Sequence, residues 1–586
     1  MKEPMVIMES YDRERDHSSY RFSGVVEVIA AYSTEQVLPA LLRVEAEVAA
    51  GRHAAGFISY EAAPGLNPEL TTVRQEGFPL LWFGIFEKRL TIHNSSTEEK
   101  EERGSYGTFD WRTSLAEEEY AKGVDRVREY IAAGDTYQVN LTMRRRFRFE
   151  GDPFSFYRDL CRSQRAPFCA FLEAERFRIL SASPELFFRL AEGRVTVRPM
   201  KGTSARGRWY EDDEEAKRRL REDPKERAEN LMIVDMLRND LGMVSETGSV
   251  EVRSLFDIET LETVHQMTST ISSRLKEGVG LVELFQAIFP CGSVTGAPKR
   301  RTMEIIAELE EAPRGVYTGC IGFISPGPEA VFSVAIRTVV IDTETGEAEM
   351  GIGSGVTFDS NPGDEYAECL AKGRFALEQR PEFQLIETLL YEEGGGYYLL
   401  ERHLERLRRS AAYFGFRLNR EPICRALAAR SAPLRGRHRV RLLLSRRGTF
   451  TIHTEPLPDD LPDRPLVAAF AENRVDSRDP FFYNKTTNRP LYSREPAGHP
   501  ECVDLLFLNE RNEVAEGAFH NVVAKMEGEW VTPPLESGLL PGVFREELLE
   551  KGEIRERVIT AEQLSSAEEI LLVNSVRKRR RITLKT

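Results

Sequence analysis

A break near Pro381 most restricts how this chain of 586 residues can fold. The run EYAECLAKGRFALEQR ahead of it is typical of a long helix, and a proline pushes the residue before it out of helical geometry. The run FQLIETLLYEE that follows is typical of a strand. We therefore predict two domains, over residues 1–376 and 385–586, joined by a linker over residues 377–384. Both domains are expected to mix strands and helices.

Composition and charge exclude several classes of protein. No apolar run is long enough to span a bilayer, and the acidic N-terminus, broken by Pro4, is unlike a secretory signal. Seven cysteines without a CxxC pair are typical of a reducing cytoplasm rather than of a disulfide or zinc framework. A net charge of −14 argues against nucleic-acid binding. We expect a soluble cytoplasmic enzyme that binds neither membranes nor nucleic acid.

A predicted β-hairpin brings an acid close to a lysine. The runs ILSASPELFFRL and RVTVRPMKG alternate like strands, and the tripeptide at 191–193 between them is typical of a tight turn. Antiparallel pairing about this turn places Glu185 at or beside the level of Lys201. The two side chains could form a simple ion pair, or an acid beside a nucleophile.

Two pairs of glutamates have the same helical spacing. Glu226 and Glu229 lie three residues apart on a predicted helix, as do Glu365 and Glu368 at the start of another, so each pair shares a helix face. The opposite face of the first helix is expected to carry Leu231, Val234, Leu237 and Leu241. Most such pairs are solvated surface, but carboxylates that converge from two helices can hold a hard cation such as Mg²⁺.

Between the two glutamate pairs lie signals for anion binding. The run GIGSGV at 351–356 bunches three glycines, which exposes backbone N–H groups to a carboxylate or phosphate. Arg337 falls in an otherwise apolar, strand-like run, where a guanidinium is costly unless it pairs with an anion. We predict that Arg337 binds a carboxylate.

These motifs together resemble one enzyme family. SPELF, PMKGT, ERAENLMIVDMLRNDLG, the PCGSVTGAPK loop, Tyr317, Arg337 and GIGSGV followed by DEYAE resemble the chorismate-utilising enzymes. That family includes anthranilate synthase component I and aminodeoxychorismate synthase component I. The resemblance covers most of residues 20–375 and implies an α+β fold, a large β-sandwich with helices.

The resemblance implies roles for the residues of the motifs. Glu229 and Glu368 would bind Mg²⁺, with Glu226 and Glu365 as their near neighbours, and the metal would hold the ring carboxylate of chorismate. The second carboxylate would be held by a group of side chains and backbone amides, namely Tyr317, Arg337, Gly353, Ser354 and Gly355.

The resemblance also implies the groups that act on the substrate. Glu185 would be the acid that helps the C4 hydroxyl leave, and His265 matches the family's proton-handling histidine. Anthranilate synthases carry alanine at the position of Lys201, whereas aminodeoxychorismate synthases carry lysine. Lys201 would attack C2 of chorismate, and ammonia would then add at C4 and expel the lysine.

Ammonia is expected from another chain. A class I glutaminase needs a G-x-C-x-G motif around its nucleophilic cysteine, followed downstream by H-x-E. The nearest match is Cys320 in TGCIG with HTE at 453–455, but its glycine is one position off, and Cys320 falls inside the synthase's own strand. We therefore expect a separate glutamine amidotransferase (glutaminase) subunit as the partner.

The second domain resembles the fold type IV pyridoxal-phosphate enzymes, an α/β family that includes aminodeoxychorismate lyase and the branched-chain and D-amino acid aminotransferases. The resemblance rests on LLERHLERLRRSAAYFGF, FFYNKTTNRPLYSRE, LFLNERNEVAEGAFHNVV, VTPPLESGLLPGVFRE and LLVNSVR. It implies that Lys485 forms the Schiff base with pyridoxal 5'-phosphate, that Glu516 pairs with the pyridine nitrogen and that Arg406 binds the phosphate. Backbone N–H groups at Gly542, Val543 and Phe544 would complete the phosphate site.

One departure concerns the first strand of that family. The usual Y-G-D-G-x-F-E-T turn is reduced here to Ile386-Glu387-Thr388. The strand is therefore either shortened or supplied by the linker.

The pairing of the two domains favours one function. A lyase that releases pyruvate from aminodeoxychorismate would use the product of the first domain, so we expect a bifunctional enzyme that makes 4-aminobenzoate for folate biosynthesis. The alternatives are an aminodeoxychorismate or anthranilate synthase joined to an aminotransferase, or a synthase with a non-catalytic domain that binds pyridoxal phosphate only as a brace.

Overall fold

The computed structural model of the chain describes residues 3–11, 18–92, 104–327, 329–377, 380–458, 466–495 and 498–585. It divides into two compact units. The first is Met1–Ala205 with Lys217–Arg380, and the second is Arg206–Ala216 with Pro381–Thr586. The short segment 206–216 thus clusters with the second unit, although the sequence assigned it to the first domain. Residues 378 and 379 of the predicted linker lie outside the described residues.

The first unit is built on one large sheet in which every described pairing is antiparallel, as the alternating patterns predicted. Within the described residues its strands are β1 (Val6–Glu9), β2 (Ser19–Ala31), β3 (His53–Ile58), β4 (Leu81–Ile92), β5 (Tyr106–Thr113), β6 (Gln138–Gly151), β7 (Phe168–Ala174), β8 (Phe177–Ser183), β9 (Leu186–Ala191), β10 (Arg194–Arg198), β11 (Met200–Ala205), β12 (Glu251–Thr260), β13 (Val264–Arg274), β14 (Gly296–Ala297), β15 (Cys320–Ser325), β16 (Glu329–Val334), β17 (Thr338–Asp342) and β18 (Glu347–Val356).

The helices of this part of the chain are α1 (Thr34–Ala49), α2 (Ala63–Leu66), α3 (Glu117–Ala132), α4 (Pro153–Gln164), α5 (Tyr210–Glu222), α6 (Pro224–Val244), α7 (Leu281–Ile288), α8 (Lys299–Leu309) and α9 (Pro362–Gly373). The first half of α5 belongs to the segment that clusters with the second unit. Short 3₁₀ turns lie at Tyr60–Ala62, Gly292–Val294 and Arg374–Ala376. None of the helices in the described segments is both long enough and apolar enough to cross a membrane.

The predicted hairpin is confirmed. β9 and β10 pair around the tight turn at 191–193, with Leu190 opposite Val195 and Leu186 opposite Arg198. The register shifts between Thr196 and Arg198. β11 follows directly and pairs with β13, so the lysine-bearing segment is held in the sheet.

The two helices that carry the glutamate pairs begin in the same way. Asp223 caps α6 by accepting hydrogen bonds from backbone N–H groups of its first turn, and Asn361 does the same for α9. A proline occupies the first position of each helix, where its missing N–H costs nothing. Both glutamate pairs therefore start close to a helix N-terminus, where negative charge is stabilised.

Three details differ from the sequence expectation. Leu231 is 42% exposed, whereas Ile233 is buried beside Val234. The buried face of α6 is therefore rotated relative to the predicted one and includes Ile233 instead of Leu231. α9 ends at Gly373 rather than continuing to residue 380, because a 3₁₀ turn follows this poor helix former.

The third detail is that Arg337 lies between β16 and β17, not within a strand. It has a left-handed backbone with φ of 51°. β16, which precedes this turn, pairs with β9, and β17, which follows it, pairs with β8.

The second unit contains two further sheets. Its described strands are β19 (Leu385–Glu392), β20 (Gly396–Tyr397), β21 (Arg437–Leu444), β22 (Phe450–Pro456), β23 (Leu466–Phe470), β24 (Asp504–Leu508), β25 (Val514–Gly517), β26 (Asn521–Met526), β27 (Glu529–Thr532), β28 (Arg555–Glu556), β29 (Glu569–Asn574) and β30 (Lys578–Leu584). β19 to β22 form one sheet, and β23 to β30 form a mixed sheet. The helices are α10 (Leu400–Phe414), α11 (Arg420–Ser431), α12 (Pro490–Arg494), α13 (Val543–Glu550) and α14 (Ala561–Ser565).

The rotated face of α6 gives a matched test of the fold. Leu237 is 1% exposed within the core, so Leu237→Ala should destabilise the chain by about 2–5 kcal/mol through lost burial and a residual cavity. Leu231→Ala on the same helix should change stability by no more than about 0.5 kcal/mol. Differential scanning calorimetry of both variants measures the difference. Equal losses in unfolding temperature would contradict the observed orientation of α6.

Candidate functional site

The first unit contains a cavity of about 200 Å³. Strands β6, β11 and β18, helices α6 and α9, and the turn at 292–294 all contribute to its wall. The side chains and backbone that line it include Gln138, Asn140, Glu185, Lys201, Glu226, Glu229, Ser293, Tyr317, Arg337, Gly353, Gly355, Glu365, Glu368 and Lys372. Eleven of these are residues of the sequence motifs, so the sheet gathers segments that are far apart in the chain.

Lys201 lies in this cavity on β11. Its Nζ donates a hydrogen bond of 3.3 Å to Oδ1 of Asn140. A Cβ atom at Gly355 would lie 2.7 Å from the same Nζ, so the absence of a side chain there leaves room for the amine. Burial lowers the pKa of Lys201, against the opposing effect of Glu229. The lysine therefore has a larger neutral fraction than one in water.

Glu185 is 3% exposed, between β8 and β9. Its Oε1 accepts hydrogen bonds from Oγ of Ser293 at 2.5 Å and from the backbone N–H of Met200 at 3.3 Å. Burial raises its pKa to about 7, although Ser293 and Lys201 both act to lower it. At neutral pH a substantial fraction of this carboxyl keeps its proton and can serve as an acid.

A buried asparagine fixes the backbone beside the lysine. Nδ2 of Asn230 on α6 donates to the carbonyl of Lys201 at 3.2 Å, and Oδ1 of Asn230 accepts from Ser269 at 2.5 Å. Buried polar groups are costly unless they are paired, so this contact holds β11 against α6. It orients Lys201 without touching its amine.

The four glutamates of the two helices face the same cavity. Burial and then the charge of Glu229 raise the pKa of Glu226 to about 7. Burial also raises the pKa of Glu229, and the charges of Glu365 and Glu368 add to the effect. Carboxylates that disfavour each other's ionisation are suited to share a cation.

The arrangement fits a bound Mg²⁺. Oε2 of Glu365 is buried without a hydrogen-bond partner, while its Oε1 accepts from Ser360 at 2.6 Å. Lys372 holds Glu368 in an ion pair of 2.6 Å. In the described part of the chain, no three carboxylates, histidines or cysteines are already close enough together to form a coordination shell. The ion would therefore draw these side chains together.

Another part of the cavity wall is suited to a carboxylate. Arg337 lines it, and burial alone lowers the pKa of this guanidinium to about 10, with no carboxylate among the causes of the shift. Gln164 is its hydrogen-bond partner. Tyr317 packs on Gly351, where a Cβ would lie 2.1 Å from the ring. A substrate carboxylate would supply the counter-charge that Arg337 lacks.

Two predicted residues do not line the cavity. His265 is buried on β13, with Nδ1 3.2 Å from Oγ1 of Thr260, and its neighbour Gln266 faces the cavity instead. The hydroxyl of Ser354 lies 2.9 Å from the hydroxyl of Tyr120, on the far face of β18. Alternation along a strand explains both positions, because successive side chains point to opposite faces.

Three of these lining residues lie outside the sequence motifs, namely Gln138, Asn140 and Lys372, and Ser293 lies inside a motif but was given no role. Gln138 is 1% exposed, and neither Oε1 nor Nε2 has a hydrogen-bond partner in the structure. The signal was present in the run YQVNLT, where two amides at alternate positions of an apolar strand share one face.

The cysteine that resembled a glutaminase nucleophile is part of the core. Cys320 is fully buried on β15, and burial raises the pKa of its thiol well above the usual value. The histidine of HTE, His453, lies on β22 in the second unit. Reactive cysteines need a lowered pKa and access, and Cys320 has neither.

The second unit contains its own cavity, of about 450 Å³. That volume is in the usual range for a site that encloses a cofactor or small ligand. Its lining includes Thr388, Arg406, Arg439, Arg441, Lys485, Arg489, Tyr492, Glu516, His520, Asn521, Gly542, Val543, Ser575, Arg577 and Arg580.

A buried carboxylate positions Arg406 in this cavity. Glu387 on β19 accepts two hydrogen bonds from the Arg406 guanidinium, at 2.7 and 3.0 Å, and one from His403 at 2.6 Å. The network outweighs burial and lowers the pKa of Glu387 to about 2.

The first strand of the second unit is complete, because β19 pairs with β21 over all eight of its residues and begins directly after the linker.

Lys485 and Glu516 both face the cavity. Burial, followed by the charges of Arg489 and Arg406, lowers the pKa of Lys485 to about 7. Burial raises the pKa of Glu516 to about 7, while Arg489 acts to lower it. Glu516 accepts hydrogen bonds from Tyr492 at 2.9 Å and from Arg489 at 3.2 Å. A lysine with a substantial neutral fraction and a fixed buried carboxyl are thus present together.

The N-terminus of α13 forms an anion cradle. Gly542 caps the helix, and a Cβ there would lie 1.9 Å from Oδ1 of Asn521. Nη1 of Arg406 donates to the carbonyl of Pro541 at 3.2 Å, so the guanidinium lies beside the same turn. Val543 lines the cavity, whereas the side chain of Phe544 packs in the core against Tyr398, so Phe544 could contribute no more than its backbone N–H to a ligand.

These residues fit pyridoxal phosphate. Arg406 and the N–H groups of the first turn of α13 could bind the phosphate, Lys485 could form a bond to the aldehyde carbon, and Glu516 could pair with the ring nitrogen. Arg489 and Tyr492, which hold Glu516, were not found from the sequence. The signal for them was their place in NRPLYSR, just after the lysine, on the turn that begins α12.

Comparisons with known proteins agree with this division. The family model for chorismate binding enzyme matches residues 4–378, and that for amino-transferase class IV matches residues 384–584. Aminodeoxychorismate synthase component 1 of Klebsiella aerogenes is 41% identical over 272 residues, 46% of this chain and 60% of that protein. Anthranilate synthase component 1 of Aquifex aeolicus is 39% identical over 269 residues, 46% of this chain and 54% of that protein.

A solved structure extends the match. Anthranilate synthase component I from Streptococcus pneumoniae TIGR4 has a TM-score of 0.54 and 25% identity, and the match covers 62% of this chain and 92% of that one. The chain spans no more than about 60% of the length of the two curated relatives. The predicted fold class is confirmed: a large antiparallel sheet with helices, followed by a class IV aminotransferase α/β fold. The chain belongs to the chorismate binding enzyme family, with an amino-transferase class IV domain after it.

Proposed function

We propose that this chain makes 4-aminobenzoate from chorismate in two steps. The first would aminate C4 to give 4-amino-4-deoxychorismate, and the second would eliminate pyruvate. The observation that carries the proposal is the amine of Lys201 beside the carboxyl of Glu185 in a cavity lined by four glutamates. The family resemblance implies that this position separates C4 amination from anthranilate formation, since anthranilate synthases carry alanine in the corresponding motif.

The first step uses an acid and a nucleophile with shifted pKa values. Glu185, with a pKa of about 7, would give its proton to the departing C4 hydroxyl. Lys201, whose pKa is lowered by burial, would form a bond to C2 as the C4–O bond breaks. Ammonia would then form the C4–N bond, the C2–N bond to Lys201 would break, and the lysine would be restored.

Substrate binding would use both sides of the cavity. Glu229 and Glu368, with Glu226 and Glu365 nearby, would hold Mg²⁺, which supplies positive charge for the ring carboxylate. Arg337, with the Tyr317 hydroxyl and the backbone of 353–355, would hold the enolpyruvyl carboxylate. The reacting C2–C4 edge would then lie between Lys201 and Glu185.

The ammonia donor is proposed to be a separate glutamine amidotransferase chain. Cys320 is buried in a strand and its thiol pKa is raised, so it does not supply a glutaminase nucleophile. The relatives whose names include "component 1" support a partner subunit.

The second step would take place in the cavity of the second unit. Bound pyridoxal phosphate would supply an electron sink for the elimination of pyruvate. Arg406 and the N-terminus of α13 would hold its phosphate, and Glu516 would face its ring nitrogen. Lys485, with a pKa of about 7, can lose or gain a proton near neutral pH and would move a proton at the substrate's ring carbon.

Reconstitution tests the whole proposal. Purified chain with chorismate, Mg²⁺, an ammonium salt and pyridoxal phosphate should yield 4-aminobenzoate and pyruvate, measured by chromatography, without any 2-oxo acid. A requirement for a 2-oxo acid as amino acceptor would instead favour the aminotransferase reading. Glutamine in place of ammonium should give little product until a glutaminase subunit is added. Efficient use of glutamine by the pure chain would contradict the separate-subunit proposal.

Replacement of Lys201 tests the nucleophile. Lys201→Ala removes neither a metal ligand nor the carboxylate clamp, so chorismate should still bind, while aminodeoxychorismate formation should fall roughly a thousandfold if the barrier rises by about 4 kcal/mol. Ammonia then becomes the nucleophile nearest C2, and 2-amino products, including some anthranilate, should appear. Lys276→Ala, an exposed lysine outside the cavity, is the charge-matched control.

Mass spectrometry adds a direct readout for Lys201. The parent chain quenched with chorismate but without ammonia should carry an adduct on this residue. A Lys201→Ala variant that makes aminodeoxychorismate at the parent rate, with no adduct ever trapped, would show that the lysine is an ordinary charged side chain.

Replacement of Lys485 separates the two halves. Lys485→Ala should lose the visible absorbance of the lysine-bound cofactor and stop 4-aminobenzoate formation, because the group that holds the cofactor and moves the proton is gone. The first unit should still consume chorismate and accumulate aminodeoxychorismate. Lys525→Ala, which pairs with Glu568 outside the cavity, should keep both properties. Unchanged 4-aminobenzoate formation in Lys485→Ala would rule out the lyase assignment.

A further inference from the structure

We propose that the segment Arg206–Ala216, which we name the strap, is a working part of the second site and fixes the position of Lys485. The sequence placed this segment inside the first domain, whereas in the structure it clusters with Pro381–Thr586. The inference rests on the proposed pyridoxal phosphate site and deepens it, because it names residues that position the lysine. No residue of the strap, all of which is described, lines the cavity.

The strap is held in a defined shape by a buried ion pair of its own. Nε and Nη2 of Arg206 donate to the two carboxylate oxygens of Asp213 at 2.8 and 2.9 Å, and the backbone N–H of Gly207 donates to the same carboxylate at 2.9 Å. The side chain of Asp213 is 2% exposed and that of Arg206 is 10% exposed. A bidentate pair sets the direction of both side chains, and the shape of the strap is therefore fixed.

Arg206 and Tyr413 join the strap to helix α10. The guanidinium of Arg206 lies over the Tyr413 ring, 4.4 Å from its centroid, and Nη2 donates to the carbonyl of Tyr413 at 2.7 Å. The hydroxyl of Tyr413 donates in return to the carbonyl of Gly207 at 2.7 Å. Tyr413 is buried, so these contacts are shielded from water and strengthened by it. The same helix carries Arg406, the proposed phosphate ligand.

Trp209 joins the strap to the turn at 480–485, which carries Lys485. The Trp209 ring lies 5.1 Å from the ring of Tyr483, with 37° between the two planes. The guanidinium of Arg208 lies over the other ring of this pair, 4.6 Å from the centroid of Trp209. Tyr483 is buried, and its hydroxyl donates to the carbonyl of Ser477 at 2.7 Å. Because Tyr483 lies two residues before Lys485, movement of its ring would move the backbone of the lysine.

A buried hydrogen bond joins the same turn to α10. Oγ of Ser410 donates to Oδ1 of Asn484 at 2.7 Å, and Nδ2 of Asn484 donates to the carbonyl of Pro480 at 3.0 Å. The strap therefore contacts both of the elements that this hydrogen bond joins. On its other side the carbonyl of Lys485 accepts the backbone N–H of Ile386 on β19 at 2.8 Å. The backbone of the lysine is thus held from β19 and from the turn.

The cofactor would be held at two ends. Arg406 on α10 would hold its phosphate and Lys485 in the turn would bond to its aldehyde carbon, so both can act only if α10 and the turn keep their spacing. The strap contacts α10 through Tyr413 and the turn through Tyr483. Its residues therefore position the two groups that would hold the cofactor and are not themselves catalytic.

Cofactor binding by the full chain tests Trp209. Trp209→Ala should weaken pyridoxal phosphate at least roughly tenfold, because the Tyr483 ring loses its partner and the turn loosens. Trp209→Phe keeps an aromatic ring against Tyr483 and should bind the cofactor within about threefold of the parent chain. Affinity is measured from the visible absorbance of the lysine-bound cofactor as it is added to the cofactor-free chain.

Trp111→Ala is the matched control. Trp111 is also half-buried, stacks on Phe147 at 3.9 Å and has the guanidinium of Arg145 over its ring at 5.3 Å, but it lies in the first unit. The same substitution there should leave the affinity for pyridoxal phosphate unchanged. An equal loss of affinity in Trp111→Ala would contradict a specific role of the strap.

A smaller change tests the contact with α10. Tyr413→Phe deletes the one hydroxyl that binds Gly207 and keeps the ring beneath Arg206, so folding is preserved. It should weaken pyridoxal phosphate roughly threefold, as loss of one hydrogen bond does. The parent affinity in both Tyr413→Phe and Trp209→Ala would overturn the proposal.

Burial also sets the charge state of Lys485. It lowers the pKa of this lysine to about 7, and the charges of Arg489 and Arg406 act in the same direction. The charges of Glu387 and Glu516 oppose the shift. A loosened turn would admit water to the amine, so desolvation would be smaller and the pKa of Lys485 would rise toward that of a lysine in water.

Chemical labelling of the cofactor-free chain follows this pKa. The rate at which acetic anhydride acetylates Lys485, measured by mass spectrometry across pH, should have its midpoint raised by about one unit in Trp209→Ala. Trp209→Phe and Trp111→Ala should keep the parent midpoint. A Trp209→Ala chain that unfolds at a lower temperature but keeps the parent midpoint and cofactor affinity would show that the strap only stabilises the fold, and would overturn the proposal.

These measurements are separable from the proposed lyase. Cofactor binding needs no substrate, so strap-dependent binding in a chain that makes no 4-aminobenzoate would refute the lyase and support the strap. Lyase activity with parent cofactor affinity in the variants would refute the strap and leave the lyase in place. Labelling of Lys485 needs no cofactor and tests the strap even in a chain that binds none.

Discussion

The first cavity depends on a guanidinium that lies outside it. Arg314 is 2% exposed and forms a bidentate ion pair with Glu310, at 2.6 and 2.9 Å. Its remaining donors bind the carbonyls of Asn140 at 2.7 Å and Val294 at 3.0 Å. The side chain of Asn140 meets the amine of Lys201, and Val294 follows the serine that meets Glu185. One buried charge therefore links the two backbone segments whose side chains contact the proposed nucleophile and acid.

Both cavities use burial in the same way on opposite charges. Desolvation lowers the pKa of Lys201 and Lys485 and raises that of Glu185 and Glu516, so in each cavity burial favours the uncharged form of both a lysine and a carboxyl. A lone buried charge would be too costly, and in each cavity the lysine and the carboxyl offset part of each other's cost. The two units reach this balance with unrelated folds, which points to the chemistry of the sites rather than to shared architecture.

Spacing in the sequence was enough to predict contacts that lie within one element or one hairpin. The β9–β10 hairpin, and the glutamate pairs on α6 and α9, follow from periods of two and of three to four residues. Contacts that depend on side-chain direction across the sheet could not be predicted. His265 and Ser354 lie in the expected segments, but their side chains point away from the cavity. Arg337 lies in a turn with left-handed backbone rather than in a strand. Gln138 lines the cavity and was not predicted to do so. A shift of one residue reverses a strand's faces, and bulges such as that at Thr196–Arg198 produce such shifts.

Overall similarity does not choose the product of the first unit. Relatives with two different printed activities are 41% and 39% identical to this chain over nearly the same length. In the proposed mechanism the fold, the carboxylates that would hold Mg²⁺ and the groups that would bind the substrate carboxylate could serve either reaction, since both would begin with loss of the C4 hydroxyl from bound chorismate. What differs is which carbon is left open to ammonia. On the proposed mechanism, an amine at position 201 would occupy C2 and leave only C4, whereas a methyl group would leave C2 accessible. The direction of amination would then follow from which atom already fills the space.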